Sequence, residues 1–275
     1  MLISPPLFII LGWLVGVLIN HAANVLPRKE SLFQVPFCPR RLNGAGQEFI
    51  STALKDADPE NPAEPADQVC HTPKSRLAWS ALLAYLTGHQ VCPHCGRAIG
   101  LRSLVVEVLT AALFGFLALR YPLSAYLLFL LLYTTILILL TVTDLEHRLI
   151  QNVVILPAVL LAIGGSLVAP NFGWRRAILG GALGLVVFYL LALVSRGGLG
   201  SGDMTLATFL GLITALPNVI LVILFGILLG GIVSALLVVT RRVTLKTFIP
   251  YGPFLIVIGW IVLIWGDSIF AHLWG

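Results

Sequence analysis

The sequence predicts an all-α integral membrane protein of about eight transmembrane helices, with a cytoplasmic zinc-binding insert between the first two. Three observations carry this. Apolar residues make up 58% of the 275-residue chain and charged residues only 11%, against about a quarter charged in a soluble domain. The apolar residues gather into runs on the scale of a bilayer core, and mean hydropathy is +0.98. The polar residues gather into one stretch, about 27–103, which also holds all four cysteines.

The runs fall at 5–26, 104–119, 123–143, 153–170, 177–195, 204–216, 219–240 and 248–266. They lack barrel-like alternation, so helices must satisfy the backbone in lipid. The opening "MLISPPLFII" has no basic segment ahead of the first run, so 5–26 reads as a retained span. A signal peptide cut near "HAAN" is the alternative. The sixth run is the short one, 13 residues from Met204 to Leu216, or roughly 20 Å of helix.

Lysine and arginine set the orientation. With 27–103 cytoplasmic and eight alternating spans, fourteen of the seventeen basic residues fall inside and only Arg120, Arg175 and Arg176 outside. This accounts for the pI of about 9.2 as membrane topology and leaves nucleic acid no part to play. The chain divides into a first helix (1–26), the insert (27–103) and a membrane-embedded core (104–275).

The insert carries Cys38, Cys70, Cys92 and Cys95. "VCPHCGRAIG" is a CxxC followed by glycine, the shape of a zinc knuckle. Disulfides are disfavoured in a reducing compartment, so a structural Cys₄ zinc site is the leading reading. Cys38 and Cys70 stand 32 residues apart, separated by the acidic, proline-rich "KDADPENPAEPADQ". A mixed site using His71, His89 or His94 and a set of redox thiols remain alternatives.

Three acids lie within or at the edge of spans: Glu107, Asp144 and Asp203. Such groups usually face a partner or a polar cavity. Asp144 closes the third run and Asp203 opens the sixth, so two spans separate them and both return to the same face. Two neighbouring carboxylates share a proton, the arrangement used in aspartic proteolysis. Neither Ser-His-Asp nor HExxH spacing competes. Gly200 and Gly202, in "GLGSGDMTL", offer backbone conformations closed to other residues and room for a substrate strand. Local readings stand beside these: Asp203 as a helix cap, Asp144 paired with Arg148, and Glu107 as a structural group or a shield for Arg102.

Taken together, these motifs resemble those of the prepilin peptidases (type IV leader peptidases), GxGD-type intramembrane aspartic proteases. "TVTDLEHRLI" and "GLGSGDMTL" are similar to the two aspartate motifs. "GVLINHAANVLP" matches an N-terminal element through Gly16, Asn20, Leu26 and Pro27. "CPHCGRAIGLRSLVVE" matches the second CxxC with Arg102 and Glu107, and "IPYGPFLIVIG" matches the C-terminal signature. The resemblance implies cleavage of the leader from type IV prepilins and pilin-like secretion subunits, at the cytoplasmic face of the bacterial inner membrane. It also implies S-adenosylmethionine-dependent methylation of the new N-terminus in many members. Asp144 and Asp203 would be catalytic, the four cysteines would hold zinc, Glu107 would support substrate or methylation, and the acids of 56–67 or Glu107 would supply an acidic groove for the basic leader.

The chain departs from that family at Thr205 (usually lysine), Gln151 (often proline), Val25 (often arginine) and in the split first cysteine pair. The alternative function is a proton-coupled transporter that uses the two aspartates as a relay. A presenilin-type protease is disfavoured, because Asp144 follows Thr143 rather than tyrosine and no Pro-Ala-Leu element is present.

Overall fold

The structure is a computed structural model that describes residues 5–28, 33, 35–36, 41–42, 68–69, 78–92, 98–147, 150–168, 173–194, 200–240 and 251–274. It is predominantly helical. The helices are α1 (Pro5–Val25), α2 (Ala81–Thr87), α3 (Leu101–Arg120), α4 (Ala125–His147), α5 (Asn152–Val168), α6 (Trp174–Val194), α7 (Ser201–Thr214), α8 (Val219–Val239) and α9 (Gly252–Trp274). One antiparallel strand pair joins β1 (Arg41–Leu42) to β2 (Gln68–Val69), with Arg41 opposite Val69.

Each of the eight apolar runs is a helix, but only six are long and apolar enough to cross a membrane: α1, α3, α4, α6, α8 and α9. The protein is thus a multi-pass membrane protein. The other two runs counted among the eight expected spans form the shorter helices α5 and α7. α5 is shorter than the run that predicted it and carries Pro157 inside it. α7 has 14 residues, as its short run anticipated. The last helix begins four residues later than its run and continues to Trp274.

Two compact units emerge, residues 13–109 and residues 1–12 with 110–275, so that α1 and α3 contribute to both. In the first unit a Cβ built on Gly16 would lie 2.8 Å from the Glu107 Cα, so glycine is what lets α1 approach the α3 backbone. α2 was not anticipated. Ser80 caps its start by accepting from the Leu83 N–H at 3.3 Å, and Gly88 ends it at φ 74, a conformation that favours glycine.

The second unit is organised around α7. Nine of its fourteen residues are buried, among them Leu206, Phe209, Leu210 and Ile213, and it packs on α5, α6, α8 and α9. A helix too short to span is covered by helices rather than by lipid. Lipid is as apolar as leucine, so close packing and not water exclusion must hold such helices together. The α6–α7 contact shows how. A Cβ on Gly180 would overlap the Gly211 carbonyl, one on Gly211 would overlap the Gly180 carbonyl, and one on Gly184 would overlap the Ala207 carbonyl. Elsewhere Trp260 Nε1 donates to Thr134 Oγ1 at 3.1 Å, tying α9 to α4. Tyr133 meets Phe209 edge-on with ring centroids 6.0 Å apart.

Gly211→Val should therefore force α6 and α7 apart at backbone level and destabilise the protein by about 1–3 kcal/mol or more. A lowered midpoint of thermal unfolding in detergent checks this. An unchanged midpoint would contradict the packing described.

Candidate active site

Asp144 stands three residues before the end of α4 and is 4% exposed. Its Oδ2 has no hydrogen-bond partner. Asp203 is the third residue of α7 and is 7% exposed. Its N–H donates to the Gly200 carbonyl at 3.1 Å. The residue at the cap position is Gly200, so Asp203 lies within the first turn and is not the cap considered from sequence. Arg148, the other local partner considered, lies outside the described residues.

Gly252, the first residue of α9, brings these elements together. A Cβ built on it would overlap Asp144 Oδ2 and would lie 3.7 Å from Leu206 Cδ2 of α7. The end of α4, the first turns of α7 and the start of α9 therefore meet at one place. Helix N-termini carry partial positive charge, so α7 and α9 each present a favourable end to this acidic site. A buried carboxylate oxygen with no donor is rare and calls for a reason. Here it leaves an acceptor ready for a water or a substrate group.

The glycines of "GLGSGDMTL" act differently from the expectation. Gly200 has φ −74 and ψ 151, open to any residue, and Gly202 is helical. Conformational freedom is therefore not their contribution at these two positions. At Gly202 the reason is proximity: a Cβ would lie 2.8 Å from the Ile150 Cβ. At Gly200 a Cβ would meet nothing closer than Asp203 Oδ2 at 3.8 Å among the described residues. Thr205 turns its hydroxyl back onto its own helix, donating to the Gly202 carbonyl at 2.9 Å.

Glu107 lies in the unit of residues 13–109 and is fully buried. Its Oε1 accepts from the Ala81 N–H at 2.7 Å and from Asn20 Nδ2 at 3.3 Å. Its Oε2 accepts from Ser80 Oγ at 2.6 Å, the Leu82 N–H at 3.0 Å and Trp13 Nε1 at 3.2 Å. Both oxygens are engaged, and two of the donors are the first backbone amides of α2, which lack helical partners of their own. The N-terminal motif (Gly16, Asn20) and the α3 motif (Glu107) thus form one node. Sequence spacing gave no hint of Trp13 or Ser80 as partners.

Of the expected zinc ligands, Cys38, Cys70 and Cys95 lie outside the described residues, as do His71 and His94. Cys92 is half-buried. His89 contacts the Thr87 carbonyl at 3.0 Å through Nδ1. Among the described residues no three metal-ligating side chains gather. Two closures flank the cysteines. Val91 bridges Ala98 while Ile99 N–H donates to the Gln90 carbonyl at 2.7 Å, and β1 pairs with β2.

The role of Gly252 was missed from sequence although its motif was noted, because the motif names a residue type and not what it touches. Comparisons with known proteins bear on both units. Residues 131–235, which include both aspartates, match the type IV leader peptidase family. Residues 10–121, which include Glu107 and the cysteines, match the bacterial peptidase A24 N-terminal domain. The prepilin leader peptidase/N-methyltransferase of Pseudomonas putida is 29% identical over 280 residues, 98% of this chain and 94% of the relative. Those of Pseudomonas aeruginosa (35%, 68% of this chain and 67% of the relative) and Neisseria gonorrhoeae (30%, 96% and 91%) are also similar. No solved structure matches. On the breadth of these matches, the chain belongs to the type IV leader peptidase family and is a multi-pass membrane peptidase.

Proposed function

We propose that the protein cleaves the leader of type IV prepilins and pilin-like secretion subunits with Asp144 and Asp203 as an aspartate dyad, at the cytoplasmic face of the bacterial inner membrane. The observation that supports this is the approach of Gly252, at the start of α9, to both Asp144 Oδ2 and Leu206 of α7, the helix that carries Asp203 in its first turn. The positive-inside count supports the cytoplasmic face.

In this reading the pair holds one proton. The ionised carboxylate takes a proton from a water between the two, and the water oxygen attacks the scissile carbonyl. The protonated carboxyl donates a hydrogen bond to that carbonyl oxygen as charge develops on it. Collapse of the tetrahedral intermediate passes a proton to the leaving amine. The absence of a side chain at Gly200 would leave room for an extended substrate beside Asp203, and the close fit at Gly202 holds the turn against Ile150.

Methylation of the new N-terminus would follow, as the names of the relatives indicate for those proteins, with S-adenosylmethionine supplying the methyl group. Glu107 has its oxygens filled by five donors. Its support for substrate or methylation would therefore run through the position of α2 rather than through proton transfer. Cys38, Cys70, Cys92 and Cys95 would hold a structural zinc. Four thiolates suit that ion, and the closures at Val91–Ala98 and β1–β2 draw together the chain flanking both halves of the set.

Incubation with a prepilin, with and without S-adenosylmethionine, followed by the mass of the product N-terminus, tests the activity. Asp144→Asn and Asp203→Asn should each lower cleavage by about 10²–10⁴-fold while the protein stays folded in membranes. Retained cleavage in either variant rejects the dyad. The wild-type rate should fall at low pH, where both carboxyls are protonated, and at high pH, where both are ionised, the two limbs belonging to the pair.

Gly252→Ala should abolish most cleavage with little change in unfolding midpoint, because its methyl group displaces the Asp144 carboxylate. Full activity in this variant would show that the contact is not part of the site. Purified protein should contain close to one zinc per chain by elemental analysis, and stripping it should loosen the insert to proteolysis. A zinc content near zero would remove the tetrad assignment.

A further inference from the structure

Glu107 is the seventh residue of α3, a helix apolar and long enough to cross a membrane. At 1.5 Å per residue it sits about 9 Å along the axis from Leu101. Gly16, which packs on Glu107, lies about 13 Å before the end of α1. The Ala81 and Leu82 amides bond directly to this carboxylate, so α2 begins at that level. Its other end is held where α3 starts. Tyr85 Oη donates to the Ile99 carbonyl at 2.9 Å, and the Ile99 N–H donates to the Gln90 carbonyl. Seven helical residues cover about 10 Å, close to the separation of Glu107 from Leu101. α2 is a ramp beside the first turns of α3.

The chemistry of the ramp suits lipid. Residues 78–88, "AWSALLAYLTG", contain no charged side chain. Trp79 is 43% exposed and Leu86 75% exposed. At the same level on α3, Val105 and Leu109 are exposed as well. A helix start in water needs no buried carboxylate, since water serves its free amides. At membrane depth those amides must be bonded from within the protein, and here Glu107 and Ser80 supply the acceptors.

We propose that residues 78–88 form a re-entrant helix seated in the membrane beside α1 and α3, with Trp79 and Leu86 against lipid acyl chains. The insert between the first two long helices is then partly a membrane structure, fixed there by Glu107. This placement is independent of the proteolytic reaction.

The test uses the full chain in liposomes with a fluorescent non-natural amino acid placed singly at Trp79, Leu86 or Val105, and the same amino acid free in buffer as the aqueous reference. Quenching by lipids with brominated acyl chains is compared with quenching by aqueous iodide. Trp79 and Leu86 should follow Val105, quenched by bromolipid and losing the iodide quenching of the free amino acid. Iodide quenching at Trp79 equal to that of the free amino acid, without bromolipid quenching, would overturn the proposal. In a Glu107→Gln background the probe at Trp79 should gain iodide access. Unchanged access there would refute Glu107 as the anchor.

Discussion

The contact between the first residue of α9 and Asp144 Oδ2 is the constraint on which the rest of the site depends. A carboxylate at the end of α4 faces the disfavoured pole of its own helix. It is compensated from outside, by the starts of α7 and α9. Only glycine at position 252 leaves room for that approach, and the same residue lies against Leu206 one turn into α7. Moving any of the three helices would separate these groups. The glycine contacts between α6 and α7 therefore bear on the proposed site as well as on packing, because they fix the helix that carries Asp203.

Two buried carboxylates in this chain meet opposite fates. Glu107 is surrounded by donors and acts as a fixed acceptor for a helix start. Asp144 is nearly as buried and has an oxygen with no hydrogen-bond partner among the described residues. Burial of charge without partners is costly, and proteins place such groups where a ligand or water completes them. The distinction between scaffold and site is thus made by hydrogen-bond supply and not by burial or by residue type.

Much of the helical frame was legible in sequence because hydropathy reads the solvent that each segment faces. All eight apolar runs are helices, and the short one is α7, enclosed by neighbours. What hydropathy averages away is which residues meet. α2 lies in a stretch read as soluble because the eleven uncharged residues around it, 78–88, sit between polar flanks. The partners of Glu107 come from Trp13, Asn20 and residues 80–82, separations that no local pattern encodes. Gly200 and Gly202 were marked for backbone freedom, but both have ordinary backbone angles, and at Gly202 a side chain would meet the close neighbour Ile150.

The shortness of α7 follows from the same logic. A carboxylate in the first turn of a full-length span would stand at the bilayer surface, where lipid and water compete for it. A 14-residue helix surrounded by α5, α6, α8 and α9 can instead begin within the protein. Its polar first turn, Ser201 to Thr205, then needs internal partners, and Thr205 finds one in the Gly202 carbonyl. The Asp203 amide finds another in Gly200. The proposed dyad needs such a start, a carboxylate carried in the first turn of a helix and yet enclosed by its neighbours.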